Sequence, residues 1–129
     1  MAATHPTKGQ LERSLSQRIQ ALYRNQLGHR LSEVICQIFD QKIMIVLEDS
    51  ITQPEQLLAE SGKEELVEEM HAGIEQAIQP RLSKLIEEVV GVSVVDLLSD
   101  AKLATKRTGM IAVLSDEPLM RDRVVSPAI

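Results

Sequence analysis

Near the start of the chain apolar residues recur at helical spacing. Leu11, Leu15, Ile19 and Leu22 share one stripe, with Arg13, Gln17, Arg18, Gln20 and Arg24 largely outside it. Thr7 and Gln10 stand in the Thr-x-x-Gln pattern of a capping box, which predicts a helix from there to about Gln26, stopped by Gly28. The period then changes. SEVICQIF, from Ser32 to Phe39, and KIMIVLE, from Lys42 to Glu48, are β-rich runs parted by Asp40-Gln41, a hairpin pattern without the Asn-Gly or Asp-Gly turn signal. Neither run alternates cleanly. Val34, Cys36 and Ile38 oppose Ile35 and Phe39, and Ile43, Ile45 and Leu47 oppose Met44 and Val46, so both faces of this sheet are expected to be covered.

Thr52-Gln53-Pro54-Glu55 repeats the capping box with proline in the first turn, where its missing N–H costs nothing, and predicts a short helix from Gln53 to about Glu60. Ser61-Gly62-Lys63-Glu64 reads as a third capping signal. It opens a long helix with the stripe Leu66, Met70, Ile74, Ile78, Leu82, Leu85, Ile86 and Val89, capped by Gly91 and kinked or broken near Gln79 by Pro80. VSVVDLLS, a loop from Asp100 to Thr108, and GMIAVLS predict a second hairpin. Here Val95 and Leu97 would oppose Val92, Val94 and Leu98, and Ile111 and Val113 would oppose Met110, Ala112 and Leu114. Residues 1–6 are expected to be a disordered N-terminus, 7–115 one domain and 116–129 a flexible tail.

The element order is therefore α-β-β-α-α-β-β. Moving the first strand of the βαββαβ ferredoxin-like plan to the C-terminus gives this order, and predicts an α+β two-layer sandwich: a four-stranded, mainly antiparallel sheet with helices on one face. The second apolar face is left without a cover. A surface of that kind marks an interface, and a twofold homodimer through the sheet face is the simplest solution.

Composition narrows the function more than it assigns one. Of 129 residues, 43% are hydrophobic and 26% charged, and the only aromatic residues are Tyr23 and Phe39, so the core is aliphatic. Scarce rings and a net charge of −5 argue against nucleic-acid binding. Cys36 stands alone, so no intramolecular disulfide is available. The opening MAATHPTKGQ lacks a secretory pattern and no apolar run approaches the ~18 residues of a spanning helix, which predicts a cytoplasmic protein with no direct membrane insertion.

No catalytic, metal-ligating or cofactor constellation emerges. His5, His29 and His71 lack metal-ligand spacing and read as exposed or structural, and Cys36 reads as a buried inert thiol. Glu64, Glu65, Glu68 and Glu69 open the long helix, where its dipole favours acids; they read as a solvated face, with an acidic docking face as the functional alternative. Glu87 and Glu88 lie at the disfavoured end, relieved either by Lys84 or by a partner's basic residue. Lys102, Lys106 and Arg107 gather at the second hairpin as an exposed tip, with an anion or acidic partner as the alternative. Thr7, Thr52, Glu55 and Gly91 are assigned to capping.

From Leu11 to Ser115 the chain resembles the MpsC-like family, named for one component of a sodium-translocating, membrane-potential-generating system. The features that carry the resemblance are the first helix with Tyr23 and Gly28, the strand pair from Val34 to Glu48, and the turn Ile51-Thr52-Gln53-Pro54-Glu55. To these are added Leu57-Leu58-Ala59-Glu60-Ser61-Gly62, Ile86-Glu87-Glu88-Val89-Val90-Gly91-Val92 and Val95-Asp96-Leu97-Leu98-Ser99-Asp100. The resemblance implies association with cation or inorganic-carbon uptake at the membrane, beside a proton-channel-like protein and its carbonic-anhydrase-like partner. It supplies no catalytic residues. The expected function is a non-enzymatic accessory or regulatory protein; a sensor binding a small anion or nucleotide near Lys102, Lys106 and Arg107 is the alternative.

Overall fold

Thr7 opens the first helix by accepting from the Gln10 amide while the Gln10 side chain accepts from the Thr7 amide, and Gly28 closes it in the left-handed conformation. This helix, α1 (Lys8–Leu27), leads into β1 (Glu33–Phe39), β2 (Lys42–Glu48), α2 (Gln53–Glu60), α3 (Glu64–Val90), β3 (Val94–Lys102) and β4 (Arg107–Leu114). The computed structural model describes residues 5–121. The strands form one antiparallel sheet in the order β1-β2-β4-β3, the arrangement that the permuted ferredoxin-like plan gives. Helices α1 and α3 pack on each other and on the sheet. The core lies between them: Leu11, Leu15, Ile19 and Tyr23 from α1; Leu82, Leu85, Ile86 and Val90 from α3; and Cys36, Ile38, Ile43, Ile45, Leu47, Met110, Ala112 and Leu114 from the sheet.

Several local expectations shift for identifiable reasons. On α1 the buried residue of the last turns is Tyr23 rather than Leu22, which is half-buried. Helix α3 has no side-chain cap at Lys63; Ser61 instead ends α2, its hydroxyl donating to the Leu57 carbonyl, with Gly62 in the left-handed region. Pro80 does not end α3. Ile78 and Leu82 on either side of it are buried, so both halves are held against the same core. In the first turn of α3 the buried residue is Val67, while Leu66 is half-exposed.

The second hairpin is longer than its composition implies. β3 runs on to Lys102 and β4 starts at Arg107, because Asp100, Lys102 and Arg107 are strand residues whose side chains point away from the helices, and Gly109 occupies a strand position on that same face. A bulge between Val94 and Asp96 resets the alternation. Val94 and Leu97 therefore share the helix side, leaving Val95 and Leu98 exposed, which replaces the expected grouping of Val95 with Leu97 and of Val94 with Leu98.

The segment expected to be a flexible tail from Asp116 packs against the domain as far as Arg121. The Leu119 amide donates to the Val90 carbonyl, the Arg121 amide donates to the Pro6 carbonyl, and Pro118 is buried. The rest of that tail, like residues 1–4, lies outside the described residues. Gly91 is the joint of this clamp: its φ is +77° and an added Cβ would come within 2.8 Å of Leu119 Cδ1. Gly91→Ala is expected to destabilise by about 1 kcal/mol, chiefly through left-handed strain. A urea melt checks this, and an unchanged midpoint would contradict it.

Candidate functional site

With one set of strand residues turned to the helices, the other set stands on an open face. The register lines these residues up in rows that cross β1, β2, β4 and β3 in turn. One row is Phe39, Lys42, Val113 and Asp96; the next is Gln37, Met44, Ile111 and Leu98. Then come Ile35, Val46, Gly109 and Asp100, and last Glu33, Glu48, Arg107 and Lys102. Phe39 is 60% exposed, Leu98 52%, Ile111 43%, Ile35 38% and Met44 36%, so contiguous apolar side chains face outward across all four strands. At the centre is a shallow hollow of about 360 Å³ between Met44, Val46, Leu98 and Ile111, with Gly109 in its floor, where an added Cβ would touch nothing within 4 Å. The charged row closes one end: Arg107 Nε donates to both Glu48 oxygens at 3.0 and 2.8 Å.

A second polar arrangement is internal. Glu55, 1% exposed, accepts from the Thr52 amide and hydroxyl through Oε1, at 3.0 and 2.8 Å, and from His71 Nδ1 through Oε2 at 2.7 Å. Glu75, one turn further along α3, accepts from the Ser99 hydroxyl at 3.1 Å. Buried Ser50 and Thr108 share a hydroxyl contact of 2.7 Å. The bond with Glu55 lifts the His71 pKa against the opposing effect of burial, and the carboxylates of Glu55, Glu75 and Asp100 add to the rise. Burial alone would raise the Glu55 pKa, but the bonds from His71 and Thr52 outweigh it and hold the carboxyl below its ordinary value. Burial, then Glu75 and Glu55, pushes the Tyr23 phenol upward, so it stays neutral. This cluster pins α2 to α3. It eluded the sequence reading because Glu55 and His71 sit on different helices; the available signal was His71 in the inward phase of Val67 and Ile78.

The family model described as "Na+-translocating membrane potential-generating system (MpsC)" matches residues 7–116. The chain belongs to the MpsC family. Neither the curated proteins nor the solved structures contain a match to it. The MpsC match takes in every element from α1 to β4, and with them both the open face and the Glu55–His71 pair. Among the described residues of this MpsC domain no helix is long and apolar enough to cross a membrane, and no group of three or more His, Cys, Asp or Glu side chains is placed to hold a metal ion.

Within the MpsC domain the other candidate residues fall as follows. Thr7, Thr52 with Glu55, and Gly91 cap helices. Glu64, Glu65, Glu68 and Glu69 are exposed around Leu66. Glu88 pairs with Arg18 of α1 and Glu87 accepts from the Val94 amide, so neither depends on Lys84 or on a partner. Lys102 and Arg107 are cross-strand neighbours, Arg107 is engaged by Glu48, and Lys106 is the left-handed residue of the tip, its carbonyl accepting from the Ser50 amide. His29 Nε2 meets the Asp49 carbonyl oxygen. Cys36 is 6% exposed and burial pushes its thiol up to about 11, a bond with Ser16 opposing and Glu12 adding to the rise. A thiol reagent is expected to label native Cys36 ~100-fold more slowly than the unfolded chain; equal rates in a stopped-flow assay would contradict this burial.

Proposed function

We propose that this MpsC-family protein is a non-catalytic accessory or regulatory protein. It pairs with a second copy through the open sheet face and docks, at the cytoplasmic side, on a membrane system that takes up cations or inorganic carbon. The observation that carries the reading is the open face itself. Five large apolar side chains, Ile35, Phe39, Met44, Leu98 and Ile111, are held outward by a sheet whose other face is already filled. An apolar surface contiguous over four strands is an interaction surface, because leaving it in water forgoes roughly 25 cal/mol for each Å² that a partner would cover. Pairing leaves the helix layer free, and the acidic opening of α3, Glu64, Glu65, Glu68 and Glu69, is the surface proposed to meet the membrane system.

The family description supports the membrane association. Cross-linking of the tagged protein in solubilised membranes, read by mass spectrometry, tests it. The expected result is cross-links from the helix layer to ion- or bicarbonate-translocating proteins, enriched over a tag-only control. Recovery of the protein cross-linked only to itself would contradict the docking part.

A further inference from the structure

Resting on the pairing just proposed, we infer its geometry: two copies pack sheet to sheet about a twofold axis that runs parallel to the strands between β2 and β4. Sheets stacked face to face keep their strands within about 30° of alignment, so a twofold axis lying between them runs either along the strands or across them. The charged row decides between the two. In sheet order it reads Glu33, Glu48, Arg107, Lys102, an acidic half beside a basic half.

An axis along the strands lays β1 over β3 of the partner and β2 over its β4. Glu33 then faces Lys102 of the partner subunit, and Glu48 faces Arg107 of the partner subunit. The Glu48–Arg107 pairs already formed within each copy meet as a closed ring of alternating charge. The same operation seats Val46 over the hollow at Gly109 and Met44 over Ile111, large on small and apolar on apolar. Asp96 and Asp100 come over Phe39 and Ile35 at the edge strands, where twist splays the sheets and water reaches the carboxylates, and Lys42 comes over Val113 in the end row of the face, where its apolar stem covers the valine and its ammonium reaches water.

An axis across the strands would still pair Glu48 with the partner's Lys42 and Lys102 with the partner's Asp96, but it would set Glu33 on Phe39 and Arg107 on Val113, so only half of the charged row would meet a complement, against all four of its positions when the axis runs along the strands. The occupant is a second copy because the row complements itself. The whole chain carries a net charge of −5, which opposes self-association, yet this face sets Lys42, Lys102 and Arg107 against Glu33, Glu48, Asp96 and Asp100 and is nearly neutral. Seven-residue strands at ordinary rise and spacing give a planar footprint of roughly 450 Å². That is the small end of specific interfaces, where a handful of charges sets orientation.

The test is a charge exchange between exposed edge residues of the full chain, followed by sedimentation equilibrium. Glu33→Lys and Lys102→Glu are each expected to raise the dimer dissociation constant ~10-fold or more, with an unchanged thermal midpoint at dilutions where the wild type is also monomeric. Within one copy these residues lie on opposite edge strands and do not meet, so mixing the two single variants is decisive. The axis predicts a heterodimer at near wild-type affinity, because the lysine introduced in one variant faces the glutamate introduced in the other, while the unaltered Glu33 and Lys102 face each other. A wild-type dimer indifferent to both substitutions, or a mixture that does not re-pair, overturns this axis and leaves the pairing standing. Restoration by mixing Lys42→Glu with Glu48→Lys would assign the axis across the strands. A wild-type monomer removes the pairing and the axis together.

Discussion

Ile45→Asp is expected to leave the protein unfolded, whereas Met44→Asp, one residue earlier on the same strand, is expected to leave it folded and separate the two copies. Ile45 is completely buried between the sheet and the helices, in contact with the core formed by α1 and α3. A carboxylate there has no cation to meet and loses its hydration, a cost of more than about 4 kcal/mol, comparable with the whole stability of many domains. Met44 points the other way and keeps 36% of its surface exposed. An aspartate on that side stays hydrated and costs the isolated copy within about 1 kcal/mol, from lost strand propensity and lost contact with Ile111 and Leu98. In the pair it would be buried against the partner's apolar centre. Circular dichroism melts and size-exclusion with light scattering read the two effects separately. Loss of the fold in both variants would show that the outer face also belongs to the monomer's core.

Glu55→Ala is expected to cost about 3 kcal/mol, roughly 10 °C in melting temperature, although it lies on a short helix far from the centre of the sheet. It removes the reciprocal cap with Thr52, worth about 1 kcal/mol, and strands His71 in a partly buried site. The pH dependence gives the pair a signature. The His71 pKa is raised above 6.5, so its contribution is complete below 6.5 and is lost as pH rises through the lifted value. The Glu55 pKa is lowered below 4.5, so its contribution is complete above 4.5 and is lost as pH falls through the depressed value. The carboxylates that act on His71 are Glu55 of α2 and Glu75 of α3 beside it and Asp100 of β3 through its charge from the opposite face of the sheet, and each favours the imidazolium. Wild-type stability should exceed that of Glu55→Ala most between pH 4.5 and 6.5; the difference should narrow toward the contribution of the cap as pH rises through the lifted His71 value, and narrow again as pH falls through the depressed Glu55 value. A difference independent of pH, measured by urea unfolding, would show that only the cap matters.

The elements were legible where local chemistry decides them. Thr7 with Gln10 and Thr52 with Glu55 announce helix starts through backbone amides that lie within one turn, so no tertiary information is needed. The doubly apolar strands were legible too, because Ile43, Ile45 and Leu47 against Met44 and Val46 leave no polar face. The extent of the second hairpin was not. Asp100, Lys102, Arg107 and Gly109 have the composition of a loop, and only the register against β2 makes them the outward residues of strands. The bulge at Val94–Asp96 left no mark in the alternation that a single run could reveal. Pairings between Glu55 and His71, or between Arg18 and Glu88, depend on how helices pack and are absent from any one segment's pattern. The open face was readable as a surplus of apolar positions, but its rows, and with them the split of the charged row into acidic and basic halves, required the strand order β1-β2-β4-β3.

Sedimentation equilibrium of the unaltered chain from about 1 to 100 µM bears most directly on the claim that the open sheet face receives a second copy. The range spans micromolar affinities, about 8 kcal/mol of association free energy. The account predicts a reversible monomer–dimer isotherm reaching twice the chain mass, abolished by Met44→Asp at the same concentrations. A single species of monomer mass across that range would contradict it, and so would a dimer that persists with aspartate at position 44.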